Sequence, residues 1–349
     1  MSPPDKLTPT DPRVTHYTVL LRSKHTYHYL LATPPAGTAP AGTVLLVHGW
    51  PDLALGWRYQ VPALLALNLR VIVPDMLGYG QTDAPDDVAA YSFQSVCADL
   101  AALLTHVLGA DDEHAQVILG GHDWGGAVVW RFALWYPRRT QAVFSVCTPF
   151  APPMAAYASK RHVVETVLPS FRYQLQLAGP DVEAEVVGEE KIGQFLRGMF
   201  GATTPGGERS FDTARGVVFE NLGAIGRSPL LSPEEEVYYV REYARRGSLR
   251  GPLNWYRTWD VNYEEERVLV EKGAVRVAAP SMFVAARRDV ALPPSMAEGM
   301  ERHFDAGLVR REVDANHWAL VEAAGEVNMY IEEFVSGVLK GEKGLKASI

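Results

Sequence analysis

Short, uninterrupted apolar runs separated by helix-length segments most tightly constrain what this chain of 349 residues can fold into. Residues 43–47, 71–73, 116–119 and 142–146 are rich in β-branched residues and leucine. Strands that are apolar on both faces must be covered on both faces, and intervening helices make the crossovers that parallel strands require. The segment 92–108 fits such a crossover. Val96, Leu100, Leu103, Leu104 and Val107 recur at the spacing of one helical face. The expected fold is α/β, with a mostly parallel central sheet flanked by helices. A hairpin of residues 17–21 and 27–32, turning near Ser23 and Lys24, precedes it. Residues 1 to about 14, with Pro3, Pro4, Pro9 and Pro12, read as a frayed arm.

The alternation stops after Val146. The next core-type run, residues 281–286, comes about 130 residues later, too far for a single crossover. Signals in the interval are helical. Ser232-Pro233-Glu234-Glu235 supplies an N-cap, a proline at the first helical position and a capping-box glutamate. Arg245, Arg246 and Gly247 supply a C-terminus. The expected organisation is a core built from residues 1–150 and 270–349, with a helical cap inserted at 151–269.

Several function classes are excluded before any motif is read. The chain carries 33 Lys and Arg against 41 Asp and Glu, a net charge of −8, and no basic run. It therefore lacks the electrostatic footprint for nucleic acid or an anionic membrane surface. Two cysteines, Cys97 and Cys147, make no disulfide framework, and no CxxC or Cys/His cluster offers a zinc site. No apolar stretch approaches the ~18 residues of a membrane span. The start has no apolar signal core, and Ala347-Ser348-Ile349 is not a peroxisomal Ser-Lys-Leu. A cytoplasmic protein without metal is expected, as a monomer or homodimer.

The strongest chemical signal follows the run 117–119: Gly120-Gly121-His122-Asp123-Trp124-Gly125-Gly126. A strand turning sharply into a helix needs small residues around the turn and presents the tip residue at the sheet's carboxyl end. Serine usually occupies such a tip; here it is Asp123. A carboxylate is suited to displacement at saturated carbon, which leaves an alkyl ester on the enzyme. Two further segments sit after predicted strands. His48-Gly49-Trp50-Pro51 follows 43–47, where a loop can donate half of an oxyanion hole through the Trp50 N–H, the other half being the N–H of Trp124. Arg288-Asp289 follows 281–286, and Asn316-His317-Trp318 lies beyond it, giving the order nucleophile, acid, histidine. The position after 142–146 reads Cys147-Thr148-Pro149, with no carboxylate, and Asp314 follows no predicted strand; both points favour Asp289 as the acid. His48 is expected to tie down its loop, His122 to shape the turn, and Asp111-Asp112-Glu113 to form a solvated loop.

Together these motifs resemble the soluble epoxide hydrolases of the α/β-hydrolase fold, over nearly the whole chain. The HGxP loop matches His48 to Pro51, the aspartate elbow matches Gly121 to Gly126, and Asp75-Met76-Leu77-Gly78-Tyr79-Gly80 resembles the family's D-x-x-G-x-G segment. Within the insertion, Tyr173 in Phe171-Arg172-Tyr173-Gln174 and Tyr256 in Pro252-Leu253-Asn254-Trp255-Tyr256-Arg257 match the two cap tyrosines. Leu177-Ala178 stand where similar enzymes often carry bulkier aromatic residues, so the resemblance carries over the chemistry but not the channel shape. The resemblance is to the short form of the family, so the extra amino-terminal phosphatase-like domain of some larger relatives is not expected.

The resemblance implies a cofactor-independent hydrolase acting on a small apolar epoxide and water. Asp123 is the nucleophile, Tyr173 and Tyr256 donate to the epoxide oxygen, and His317, oriented by Asp289, activates water. Phenols of pKa about 10 stay protonated at neutral pH and suit a basic alkoxide. A halide needs only weaker N–H donors such as the Trp124 indole, so a haloalkane or haloacid dehalogenase using the same aspartate stays open from the elbow alone. A non-catalytic ligand-binding protein of this fold is the alternative of another class.

Overall fold

The structure, a computed structural model, describes residues 4–109 and 115–342. The acidic loop 111–113, the first residues and the final tripeptide lie outside the described residues. The chain divides into two compact units. One contains residues up to Met76, Phe93–Ala155 and the chain from Glu265; the other contains Leu77–Ser92 and Ala156–Glu264.

The first unit is built on one eight-stranded sheet. Its strands are β1 (Thr15–Leu20), β2 (Thr26–Ala32), β3 (Gly42–Val47), β4 (Leu69–Pro74), β5 (Val117–His122), β6 (Thr140–Val146), β7 (Ser281–Ala286) and β8 (Leu308–Val313). They lie in the order β1-β2-β4-β3-β5-β6-β7-β8. The pairs β1–β2 and β2–β4 are antiparallel, and all others are parallel. Val44 to Val47, Val117 to Leu119 and Val284 are wholly buried, as apolar runs covered on both faces must be. Helices α1 (Gln60–Ala66), α2 (Phe93–Leu108) and α3 (Trp124–Trp135) follow β3, β4 and β5 in turn. On α2 the residues Val96, Leu100, Leu103 and Leu104 are fully buried, and Val107 is half-buried.

Three features differ from the sequence reading. Residues 7–14 are anchored, not frayed: Leu7 is buried and its N–H donates to the Arg58 carbonyl at 2.8 Å, while Arg13 Nε donates to Asp11 at 2.8 Å. Strand β8 escapes an apolar-run search because Leu-Val-Arg-Arg-Glu-Val carries three charges. It tolerates them because it is the sheet's edge. Gly120 and Gly121 continue β5, paired with Leu46 and Val47, so the turn starts one residue before Asp123's helix and not at Gly120.

The second unit is predominantly helical. The longest helix lying wholly within it, Pro233–Ala244, carries the expected capping box: Glu235 N–H donates to Ser232 Oγ at 3.2 Å, and Ser232 N–H donates to the Glu235 carboxylate at 2.7 Å. Gly247 sits in the left-handed region with φ 65°. Residues 77–92, placed in the core by the sequence reading, group instead with this unit. The Trp255 indole N–H donates to the Leu77 carbonyl at 2.9 Å, and Arg246 donates to the Thr82 carbonyl at 2.9 Å. Among the described residues, no helix is long and apolar enough to cross a membrane.

Candidate active site

The residues singled out in the first unit all fall beyond the carboxyl ends of parallel strands, where α/β sheets place their sites. Trp50 follows β3, Asp123 follows β5, Asp289 follows β7 and His317 follows β8. Asp123 has φ 53° and ψ −126°, a conformation that costs a non-glycine residue of order 1–3 kcal/mol. Its surroundings over-determine it. Its carbonyl accepts from Thr148 Oγ at 2.7 Å and from the Gly126 N–H at 2.9 Å. Gly125 lets the α3 backbone approach β3: a Cβ there would lie 2.0 Å from the Val47 carbonyl oxygen.

The carboxylate of Asp123, 9% exposed, is held asymmetrically. Oδ1 accepts from the Trp50 N–H at 2.6 Å, whereas Oδ2 lies 3.5 Å from His317 Nε2. Gly49 makes this convergence possible. A Cβ on it would lie 2.2 Å from Asp123 Oδ1 and 2.6 Å from the Trp124 nitrogen. The nucleophile position and both backbone nitrogens named from the sequence therefore share one small space. His48 ties the loop as expected: Nδ1–H donates to the Gly49 carbonyl and Nε2 accepts from the Met76 N–H, both at 2.9 Å.

His317 Nδ1 lies 2.7 Å from Asp289 Oδ2, and Asp289 Oδ1 accepts from the N–H groups of Ala291 and Leu292, both at 2.9 Å. Burial opposes a charge on His317, but Asp289 on one nitrogen and Asp123 on the other hold its pKa well above the ordinary imidazole value. Burial likewise pushes the Asp289 carboxyl up, and the facing imidazolium with the two backbone donors more than offsets this, leaving it below its usual value. Asp314, expected to follow no strand, directly follows β8, but it is exposed and pairs with Arg288, while Asp289 is the carboxylate that meets His317.

Residues 42–324 match the alpha/beta hydrolase fold family. The chain is 46% identical over 347 residues to epoxide hydrolase srdG of Neurospora crassa, covering 96% of this chain and 99% of that one. The chain belongs to the epoxide hydrolase family. This family member is also 32% identical over 317 residues to epoxide hydrolase A of Mycobacterium tuberculosis, covering 87% of this chain and 93% of that one. The crystal structure of epoxide hydrolase A from Mycobacterium thermoresistibile matches it with a TM-score of 0.76 at 28% identity, covering 93% and 98% of the two chains. Against bifunctional epoxide hydrolase 2 of Sus scrofa it is 33% identical, spanning 95% of this chain and 57% of that longer protein.

The two tyrosines of this epoxide hydrolase lie together in the second unit. Tyr173 is 5% and Tyr256 is 1% exposed, and their rings meet edge to face with centroids 6.1 Å apart. Tyr173 begins the helix Tyr173–Ala178, its N–H donating to the Thr213 carbonyl at 2.9 Å, and its ring packs on Phe211. Lys160 donates to the Tyr256 backbone carbonyl.

Two supporting residues, Thr148 and Arg257, were not singled out from sequence, and His122, expected to shape the turn, also has a partner far along the chain. Thr148 holds the Asp123 carbonyl through a hydroxyl, a contact across chain segments that no spacing encodes. His122 Nε2 donates to the His317 carbonyl at 2.8 Å, and burial first, then the charge on His317, keeps its imidazole neutral. Arg257 donates to the Ala178 and Gly179 carbonyls, likewise far away in the chain. Among the described residues, His122, Cys147 and His317 form a group of metal-ligand type with atoms within 4.8 Å. Both carboxylates already engage His317, and burial pushes the Cys147 thiol up so that it stays protonated; the donor set does not fit a resident metal.

Proposed function

We propose that this epoxide hydrolase converts an epoxide to a vicinal diol through an alkyl ester on Asp123. The observation that carries the reading is the division of labour on one carboxylate: Oδ1 sits on a backbone N–H at 2.6 Å, and Oδ2 is left facing His317. In the first half-reaction the free oxygen attacks an epoxide carbon. The C–O bond breaks, its electron pair moves to oxygen, and Tyr173 or Tyr256 supplies the proton while both hydrogen-bond to the developing charge. In the second, His317 takes a proton from water and the hydroxide adds to the Asp123 ester carbonyl. The N–H groups of Trp50 and Trp124 hold the oxyanion, the diol departs with the proton returned by His317, and the Asp123 carboxylic acid left behind passes its own proton to His317, restoring the resting ion pair.

Charge orders the two halves. With Asp123 and Asp289 both ionised, His317 is cationic at rest and is no base. Alkylation removes the Asp123 charge, so one of the two anions that stabilise the imidazolium disappears, and His317 becomes competent only once an ester exists. The proton it releases balances the one given to the alkoxide. The test is His317→Gln incubated with styrene oxide and examined by mass spectrometry. The expected result is a protein heavier by one substrate, with the adduct on the peptide containing Asp123. Unmodified protein that still produces diol would refute covalent catalysis.

A further inference from the structure

The second unit holds an arginine whose bonds join the two tyrosine-bearing segments. Arg257 follows Tyr256 directly in the chain, and its guanidinium reaches the far end of the helix that begins with Tyr173. Nε donates to the Ala178 carbonyl at 3.1 Å, and Nη2 donates to the Gly179 carbonyl at 3.0 Å. Nη2 also meets Glu183 Oε2 at 2.9 Å, and Nη1 donates to Asn254 Oδ1 at 2.9 Å. The side chain is only 18% exposed and Asn254 is wholly buried, so these bonds are made largely out of water.

A helix of six residues, Tyr173–Ala178, cannot sustain itself, because so few internal hydrogen bonds form against the cost of nucleation. It stands on tertiary anchors. At its start the Tyr173 N–H bonds to Thr213. At its middle the Gln176 amide pairs with Val217, donating to its carbonyl at 3.0 Å and accepting from its N–H at 2.6 Å. At its end the exposed carbonyls, where a helix dipole favours a cation, are met by Arg257. The first two anchors tie Tyr173 to the hairpin around residues 211–217. Arg257 alone among them also belongs to the segment that carries Tyr256.

We propose that Arg257 is a positioning residue that fixes Tyr173 relative to Tyr256, so that both phenols address one epoxide oxygen. The inference rests on the reading of the tyrosines given above. Two donors aimed at one atom must agree in position to a fraction of an ångström, and a forked, planar group bonding two successive carbonyls fixes direction as well as distance. A lysine keeps the charge but not the fork.

The experiment measures the ring-opening rate and the ester-hydrolysis rate separately by rapid mixing, in Arg257→Gln, Arg257→Lys and Glu183→Gln, with thermal melts to establish folding. Ring opening in Arg257→Gln should fall by about 10²-fold, the loss expected when one donor is misaligned, and ester hydrolysis should not change. Arg257→Lys should stay closer to Arg257→Gln than to wild type. Glu183→Gln, which leaves both carbonyl bonds in place, should slow the same step less. Added to Tyr173→Phe/Tyr256→Phe, Arg257→Gln should cause no further loss, since there are no phenols left to align. Equal slowing of both steps, a full further loss in the double-phenylalanine background, or wild-type ring opening in folded Arg257→Gln would each overturn the proposal. Failure of the underlying reading looks different: Tyr173→Phe/Tyr256→Phe would then open the ring at the wild-type rate, whatever Arg257 does.

Discussion

Replacing Asp289 by asparagine should separate the two half-reactions. The carboxylate fills three bonds, one from Oδ2 to His317 Nδ1 at 2.7 Å and two from Oδ1 to the N–H groups of Ala291 and Leu292 at 2.9 Å. All three require an acceptor, and asparagine offers one acceptor oxygen and one donor nitrogen. If the amide oxygen turns to His317, its NH₂ confronts two backbone donors, and the buried one, the Leu292 N–H, is left unsatisfied at roughly 1–3 kcal/mol. If the oxygen keeps the backbone donors, the NH₂ faces Nδ1 and selects the tautomer with its proton on Nε2. The second arrangement keeps more bonds and should prevail. An Nε2–H imidazole cannot take a proton from water. The same change of tautomer in a serine-hydrolase triad costs about 10⁴ in rate, which is roughly 5.4 kcal/mol at 1.36 kcal/mol per decade.

Ring opening asks nothing of that tautomer. Asp123 keeps its charge and its Trp50 N–H bond, and the tyrosines are untouched. Asp289→Asn mixed rapidly with styrene oxide should therefore give a burst of adduct, one per enzyme, followed by turnover about 10⁴-fold below wild type. Trp124, adjacent to the nucleophile, offers a fluorescence signal for the burst, and mass spectrometry of quenched samples counts the adduct. Turnover lost with no adduct would mean that Asp289 governs ring opening, and the separation argued here would be wrong. Turnover within tenfold of wild type would remove Asp289 from the mechanism.

Removing one phenol, by Tyr173→Phe or Tyr256→Phe, should slow ring opening by ~10²–10³-fold and leave ester hydrolysis intact; removing both should be far worse, and near-normal turnover in the double variant would remove the phenols from the reaction. A single turnover in ¹⁸O-water should label the Asp123 carboxylate and leave the first diol unlabelled; label in that diol would point to direct attack by water. The raised pKa of His317 contributes stability that is complete below the unfolded value near 6.5 and is lost as pH rises through the folded value, whereas the lowered pKa of Asp289 contributes above about 3.8 and fades as pH falls through its own folded value. The melting-temperature gap between wild type and His317→Gln should thus be widest near pH 5–6 and narrow as pH rises; a gap that widens with pH would contradict a cationic His317.

Asp123 and Asp289 could be placed from sequence because each follows an apolar run, and runs of that kind mark strands whose ends gather in space; His317 was reached by chain order alone, since the strand before it carries three charges. Gly49, Gly121 and Gly125 pointed the same way, since only close backbone approach calls for glycine there. Strand β8 did not show, because an edge strand can carry Arg310, Arg311 and Glu312, which alternate between its two faces and pair with acidic or basic partners at the rim of the sheet. Residues 77–92 were assigned to the core by continuity of sequence, but the partners of Leu77 and Thr82 are Trp255 and Arg246, far along the chain. The same distance hides Thr148 and Arg257. A hydroxyl or guanidinium that serves another segment's carbonyl leaves no periodicity to detect.

In the proposed mechanism, an aspartate at this tip uses the elbow in a way that a serine does not. Where serine attacks, the two backbone N–H groups hold an oxygen of the substrate, because the tetrahedral centre forms on the substrate's acyl carbon. Here the Trp50 N–H already holds an oxygen of the protein, 2.6 Å away, in the resting enzyme. That contact is of little use to the first half-reaction, since it draws electron density from the carboxylate that must attack. Its value lies in the second, when the same oxygen becomes the carbonyl of an ester and then an oxyanion. The strained φ of 53° at Asp123 serves this economy: it keeps the carboxylate where one oxygen stays on the Trp50 N–H while the other faces His317. A glutamate there, with one more methylene, would carry Oδ1's counterpart away from Trp50 and could still alkylate. It would then lose the electrostatic support that makes the ester hydrolyse.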